Sequence, residues 1–293
     1  ELSLGHAGFM SVGAFAGIVV TTSLADAIPF GPLRLAIAMV IGAVCAALAG
    51  VIVGIPVLRL KGDYMAIVTL AFGEIIKNII NVLYVGLDDA GLHFSLLQQS
   101  FQLEEGGKMI INGAMGVSGV SRLSSFTSGF VLVLITLFII LNLIHSRAGR
   151  AIMSVRDNKI AADSIGISTT RYKLMAFVIS AAFAGMAGTL YGMNYTTITA
   201  AKFDFNTSIL ILVFVVLGGL GNIWGSIIAA TVLTVLPELL REVGNYRMLI
   251  YAILLIAIML FNNSSLKQRI LEKRGMKQME KLENAGQSGK EGA

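Results

Sequence analysis

Long apolar runs alternate with short polar ones along most of the chain, and the length of each run sets its reading. Leu4 to Leu24 is apolar and rich in small residues, among them Gly5, Ala7, Gly8, Gly13, Ala14 and Gly17. Small residues let helix backbones approach closely in lipid, so this run predicts a tightly packed membrane helix. A charged, proline-bearing turn follows over Asp26 to Arg34. Leu35 to Leu58 predicts a second span, because crossing a hydrocarbon core of ~30 Å takes about twenty residues. It closes on a basic turn at Pro56, Arg59, Lys61 and Gly62. Met65 to Val85, Phe126 to Ile144 and Leu174 to Tyr195 predict further spans, with a short turn over Thr196 to Asn206. Ser208 to Gly219 and Trp224 to Leu236 are too short to cross comfortably and meet at Gly218, Gly219, Leu220, Gly221 and Asn222. They predict either a discontinuous pair of helices, tolerated where buried or lining a cavity, or an ordinary tight hairpin. After a polar turn over Pro237 to Arg247, Met248 to Phe261 is the last run. The pattern predicts an all-α, polytopic transmembrane helical bundle with about eight hydrophobic segments, some broken or re-entrant. Residues 1–262 form its transmembrane domain and residues 263–293 a polar tail.

The polar interruptions differ in sign. Ser146 to Lys173 carries Arg147, Arg150, Arg156, Lys159, Arg171 and Lys173 against Asp157 and Asp163, six bases to two acids. Gly86 to Ser125 carries four acids, Asp88, Asp89, Glu104 and Glu105, against Lys108 and Arg122. Basic loops stay in the cytoplasm, so residues 146–173 are expected inside and residues 86–125 outside. The tail holds Lys267, Arg269, Lys273, Arg274, Lys277, Lys281 and Lys290, which places it in the cytoplasm as well. It reads as a solvated tail, with Leu266, Ile270, Met276 and Leu282 as an alternative surface-lying apolar face. Within the central basic segment, Asn158 to Gly166 predicts a short helix with Ile160, Ala161, Ala162 and Ile165 as its apolar face and Gly166 as its stop. The positive-inside rule explains the bases without a partner, and a docking face explains them equally well.

Composition agrees with the pattern. Of 293 residues, 56% are hydrophobic and 13% charged, with a mean hydropathy of +0.81. A soluble domain has about a quarter of its residues charged. The chain is therefore an integral membrane protein whose net charge of +5 reports topology and lipid contact rather than nucleic acid. The lone Cys45 and the scattered His6, His93 and His145 offer neither a disulfide framework nor a metal cluster. Glu1 opens the chain without a methionine and runs almost at once into an apolar helix, which predicts that N-terminal spans are missing.

The chemistry is sparse. No G-x-x-x-x-G-K-[ST] occurs, so this chain has no P-loop of its own, and no H-E-x-x-H or Ser-His-Asp arrangement is evident. No catalytic residue and no metal ligand is assigned. Glu74, Lys77, Asn78 and Asn81 lie inside the third run, with Glu74, Lys77 and Asn78 on one helical face. Ionisable groups at membrane depth line a pathway or lock helices together near an interface, and the residues alone leave both open.

Five ordered stretches resemble one family. SLGHAGFMSVGAF at Ser3 to Phe15 resembles the signature of the inner-membrane permeases of branched-chain amino acid ABC transporters, the LivM type. LRLKGDYMAIVTLAFGEI at Leu58 to Ile75, NGAMGVSGV at Asn112 to Val120, GRAIMSVRDNKIAADSIGI at Gly149 to Ile167 and VLGGLGNIWGSIIAA at Val216 to Ala230 are similar to further elements of that family. The tail matches nothing in it. The resemblance implies a permease that pairs with a second permease subunit, is driven by two ATPase subunits that bind the ATP, and receives ligand from an extracytoplasmic amino-acid-binding protein. This chain would need no cofactor. Arg150, Asn158, Ala161, Ala162 and Gly166 would then form a coupling helix against an ATPase. Transport by alternating access needs polar groups and helix ends along the path. Ser3, His6, Tyr64, Thr69, Glu74, Asn78, Asn194 and Asn222 are the candidates. A related permease for urea, amides or sugars and an ion-coupled secondary carrier relying on Glu74 are the competing readings.

Overall fold

The computed structural model describes residues 3–60, 63–88, 91–97, 107–240, 250, 252, 253 and 256. It falls into two compact units, Glu1–Leu210 and Ile211–Ala293. In chain order the elements are α1 (His6–Ser23), α2 (Gly31–Val57), α3 (Asp63–Asn81), β1 (Leu83–Asp88), β2 (Gly91–Leu96), β3 (Lys108–Asn112) and β4 (Val117–Ser118). Then come α4 (Phe126–His145), α5 (Arg147–Asp157), α6 (Lys159–Ser164), α7 (Thr169–Gly192), β5 (Thr197–Ile198), α8 (Phe205–Gly218) and α9 (Ile223–Leu239). Among the described residues, α1, α2, α3, α4 and α7 are long and apolar enough to cross a membrane, and α8 and α9 are shorter apolar helices. The protein is a multi-pass helical bundle. Of the expected last run, residues 250, 252, 253 and 256 are described, all helical, and the tail from Asn262 lies outside the described residues.

The centre of the first unit is a seam of glycines where α1, α2 and α7 meet. A β-carbon on Gly13 would overlap the carbonyl of Gly185, one on Gly188 would overlap the carbonyl of Met10, and one on Gly185 would lie 2.7 Å from the carbonyl of Gly42. Thr189 closes the seam: its hydroxyl is fully buried and donates to the carbonyls of Gly13 at 2.8 Å and Gly185 at 3.1 Å. The small residues that predict close packing in the first run thus supply the contact itself. Phe9 and Phe177 meet edge to face at 5.5 Å toward one end of the seam, and Phe15 and Phe203 at 6.4 Å toward the other.

The ends of the bundle differ in architecture. At one end a three-stranded antiparallel sheet, ordered β2-β1-β3, packs Val85, Ile110 and Ile111 against Ala14, Phe15, Ile18 and Ile80, and β4 pairs with β5 beside it. This sheet corrects two expectations. The polar reading of residues 86–125 contained no strands, and the third run was carried to Val85, whereas α3 ends at Asn81 and Leu83 already belongs to β1. Short β-branched runs flanked by glycine are a strand signal, and the charges of this stretch mask it. Two turns also shrink. Arg34, expected in the first turn, lies inside α2, 9% exposed, and donates to the carbonyl of Ala25 at the end of α1 at 3.3 Å. Pro32 allows that earlier start because a missing N–H costs nothing in a first turn. Pro237, expected in a turn, stands inside α9.

In the second unit the meeting point of α8 and α9 is built on positive backbone angles at Gly219 (φ +94°) and Gly221 (φ +84°). Asn222 accepts from the amide of Gly225 at 3.1 Å and starts α9. Gly218 and Gly225 touch closely enough that neither has room for a side chain, so the pair is two short helices folded tightly on each other.

Gly185→Val drives a branched side chain into the backbone of α2. It is expected to cost about 3 kcal/mol, the upper part of the range for overpacking, and to lower the aggregation temperature of the detergent-solubilised protein. Gly129→Ala, whose nearest neighbour is a Leu190 methyl at 3.6 Å, is expected to leave that temperature unchanged.

Candidate functional site

The first turn of α1 begins inside the bundle. His6 sits beside Ser180, eleven residues into α7 and therefore about 16 Å along it at 1.5 Å per residue. The first amides of a helix lack partners within it; here the Ala7 amide finds a hydroxyl from α8, and the two amides leading into the helix find hydroxyls as well. Leu4 donates to Thr69 Oγ1 at 3.0 Å, Gly5 to Ser3 Oγ at 3.4 Å and Ala7 to Ser208 Oγ at 3.4 Å. A β-carbon on Gly5 would lie 2.7 Å from the Thr69 carbonyl, and one on Gly8 2.8 Å from Gly73 Cα. Only glycine lets this turn sit so close to α3.

Below that turn lies a cavity of about 490 Å³. Its floor is Ser3, His6 and Ser180, with His6 Nε2 and Ser180 Oγ 2.9 Å apart. Its walls are Leu58, Met65, Ile152, Val155, Ala176 and Phe177, and it also meets Tyr172, Arg156, Lys159 and Lys173. The bases belong to the central basic segment, so the cavity opens at the end of the bundle where α5 and α6 lie.

The basic segment is two helices, not one. Ser146 ends α4 and starts α5: its hydroxyl donates to the Leu143 carbonyl at 2.6 Å and accepts from the Gly149 amide at 3.0 Å. Asn158 starts α6, its side-chain oxygen accepting from the amides of Ile160 and Ala161 at 3.0 Å each. Gly166 stops it at φ +84°, with its own amide on the Asp163 carbonyl and that of Ile167 on the Ala162 carbonyl at 3.1 Å. This is the double-bonded glycine stop that the sequence pattern predicts.

The candidate residues separate on this framework. Ser3 and His6 line the cavity, and Thr69 is buried just above it as the acceptor for Leu4. Tyr64 is 71% exposed on the outside of α3. Glu74 is ion-paired with Lys77 on α3 and does not line the cavity; Asn78 is exposed one turn further on. Asn194 is exposed beyond the end of α7, where it accepts from Ser124 at 3.3 Å, and Asn222 belongs to the second unit. On the basic segment, Arg150 is exposed and donates to the His145 carbonyl at 2.8 Å, fastening the end of α4. Ala162, expected on the outward face of α6, is instead 2% exposed; Ile160 at 83% and Ile165 at 73%, with the exposed Ala161, are the face that looks out. At 3.6 residues per turn Ile160, Ala161 and Ile165 share one side of the helix, whereas Ala162, two steps beyond Ile160, falls on the other side. Ser180, Tyr172 and the three cavity bases were missed, since each lies in a stretch read for its charge or its span rather than for what faces what.

At the opposite end, Asp204 starts α8. The backbone amide and hydroxyl of Thr207 and the side-chain Nδ2 of Asn206 donate to its carboxylate at 2.9 to 3.0 Å. The Thr207 backbone bond above all holds this carboxyl below its usual range, with Lys77 adding attraction.

Asn158→Ala removes two capping bonds and is expected to cost about 1 kcal/mol. Gly166→Ala places a β-carbon in the left-handed region, also at a cost of about 1 kcal/mol. Either change is expected to speed amide hydrogen exchange across residues 159–167 by about fivefold, the factor corresponding to 1 kcal/mol, and to leave exchange in α7 unchanged.

The comparisons with known proteins agree on one family. The model described as branched-chain amino acid transport system / permease component matches residues 1–259. Over 280 residues, 90% of this chain, the sequence is 34% identical to the high-affinity branched-chain amino acid transport system permease protein LivM of Salmonella typhimurium, and equally to that of Escherichia coli. It covers 63% of the length of each. The nucleoside ABC transporter permease protein NupC of Lactococcus lactis is 24% identical over 220 residues, which are 70% of this chain and 63% of that one. No solved structure matches the chain. The chain belongs to the family of branched-chain amino acid transport permease components.

Proposed function

We propose that the chain is the membrane-spanning permease subunit of an ABC importer that moves branched-chain amino acids across the cytoplasmic membrane. The observation that carries this reading is the family match over residues 1–259, to a model whose description is a branched-chain amino acid permease component. The chain does no bond chemistry: a second permease subunit completes the path, two ATPase subunits hydrolyse ATP, and an extracytoplasmic binding protein delivers the amino acid. The end with α5 and α6 faces the cytoplasm, as its excess of bases supports, and the sheet end faces out. The tail from residue 263 is cytoplasmic on the same ground.

In this arrangement α6 presents Ile160, Ala161 and Ile165 to an ATPase, a small apolar face held by Asn158 and Gly166. Arg150 fixes α5 to the end of α4, so a push on α6 reaches α4 and α7 together. The cavity above α5 is the inward-facing part of the path, and Ser3, His6 and Ser180 are the polar groups that replace hydration as the zwitterion passes. Thr69 positions the first turn of α1 over them. Glu74 and Lys77 neutralise each other on α3, which supports the helix-locking role over proton or sodium coupling.

Uptake of labelled leucine into proteoliposomes holding the complete complex is expected to need both internal ATP and the binding protein. Uptake driven by an ion gradient alone would overturn the reading, and ATP-driven uptake of a nucleoside, urea or a sugar in place of leucine would keep the importer and change its cargo. Ala161→Arg is expected to abolish co-purification of the ATPase subunits and bring uptake to background. Normal uptake by that variant would remove α6 from the docking surface.

A further inference from the structure

The membrane-spanning helices expose two kinds of surface. Between Val40 and Ile55 the exposed side chains of α2 are Val40, Ile41, Val44, Leu48, Ile52 and Ile55, all aliphatic. Between Phe130 and Leu141 those of α4 are all aliphatic or aromatic. Lipid tails are as apolar as leucine, so such faces suit hydrocarbon. α3 differs. Its exposed face runs Tyr64, Ile67, Ala71, Ile75 and Asn78, three or four residues apart and so one above another. Glu74 adjoins Ala71 and Asn78 at the same spacing and is ion-paired with Lys77. In that pair 32% of the Glu74 side chain and 18% of the Lys77 side chain stay exposed.

The pair stands near mid-membrane. Glu74 is eleven residues into α3, about 16 Å at 1.5 Å per residue. Its neighbour Gly73 packs on Gly8, which is fifteen residues, about 22 Å, short of the end of α1. A glutamate side chain is too short to carry its charge to water over either distance. Charged groups at such depth face protein or water and are costly against lipid. Pairing lowers that cost without removing it. A carboxylate has about four acceptor positions, and one ammonium beside it does not fill them. Asn78 adds an exposed carboxamide one turn further on. A wall of an aqueous path would be polar along its length, whereas Ile67 at 62% and Ile75 at 50% exposed flank these groups. Apolar flanks, a small central residue and buried-type polar groups are together the make-up of a helix-packing face in lipid.

We propose that the outward face of α3 is the seam on which the second permease subunit packs within the membrane. This rests on the reading of the chain as one of two permease subunits. The partner presents a helix that crosses α3 at Ala71, where a methyl side chain leaves room for close approach. Ile67 and Ile75 on either side of the crossing supply van der Waals contact. A hydrogen-bonding side chain of the partner meets Glu74 and Asn78, as polar groups do between helices in lipid. The ion pair then locks two subunits together. On its other face α3 holds the opening of α1, through the Thr69 hydroxyl on the Leu4 amide and through Gly73 against Gly8. A shift of the partner against α3 is thereby passed to the turn that carries His6.

Photo-cross-linking of the complete complex in nanodiscs tests the seam. With p-benzoylphenylalanine in place of Ile75, irradiation is expected to join this chain to the second permease subunit. The product is read as a band of the summed mass whose peptides come from both chains. The same probe in place of Leu48 on α2 is expected to give a phospholipid adduct instead. A phospholipid adduct at position 75 overturns the seam. No adduct there shows a face bordered by water and overturns it equally, and an adduct to a second copy of this chain overturns the choice of partner. Glu74→Leu combined with Lys77→Leu removes both charges from the face. This variant is expected to retain the second subunit about tenfold more weakly, a factor that corresponds to about 1.4 kcal/mol, at an unchanged aggregation temperature of the chain. Undiminished retention overturns the polar contact. A lower aggregation temperature assigns the pair to the fold of the chain itself and overturns its place in the seam. If no second permease subunit accompanies the native chain through purification, it is instead the function on which the inference rests that is overturned.

Discussion

Close approach of α1, α2 and α7 is the constraint on which the rest depends. In lipid there is no hydrophobic drive to press one apolar helix against another, so association falls to van der Waals contact and hydrogen bonds between helices. Gly13, Gly42, Gly185 and Gly188 supply the first, and the buried Thr189 hydroxyl supplies the second by bonding carbonyls on two helices. Because the seam fixes α7 against α1, it also fixes Ser180 opposite His6, and with them the floor of the cavity. By contrast α4 has no buried residue. It is held mainly at its ends, by the Ser146 corner to α5 and the Arg150 bond, which makes it the part of the unit with most surface left for lipid or another subunit.

The fold was legible where a single physical rule acted. Hydropathy over about twenty residues places five spans within a few residues of their observed bounds, because lipid imposes length and apolarity together. Gly166 and Asn158 were legible because helix ends have local rules that side chains satisfy within the same few residues. The sheet was not. β1 lies against α1 through Val85, and β3 reaches it through Ile111, so its stability comes from residues far apart in the chain, and charge at Asp88 and Glu104 dominates any local reading of that stretch.

The site was legible only in part for a related reason. Ser3 and His6 stood out because they are polar at the mouth of an apolar run, and they do line the cavity. Tyr64, Asn78 and Asn194 stood out on the same ground and do not. Polarity within an apolar run marks a residue that needs explaining but not the direction in which it points. That direction depends on helix phase: one step turned Ala162 inward on α6, and one face of α7 brought Tyr172, Ala176 and Ser180 into line without any unusual residue among them. Lys77 shows the converse, a charge at membrane depth that Glu74 on the same helix neutralises.

The hydroxyls that meet the opening of α1, by its backbone amides or by the His6 ring, have a bearing on biogenesis. Thr69 lies 65 residues beyond its partner Leu4, Ser180 lies 174 beyond His6, and Ser208 lies 201 beyond Ala7. During synthesis α1 leaves the ribosome well before any of them exists. Its leading turn, with unpaired amides that hydrocarbon does not solvate, cannot settle at its final depth at that stage. The opening turn of α1 gains its full set of partners only once the chain has been translated through α8. Ribosome-bound intermediates shorter than that contain the glycines of α1 and α2 but lack the partners that hold the opening turn in place.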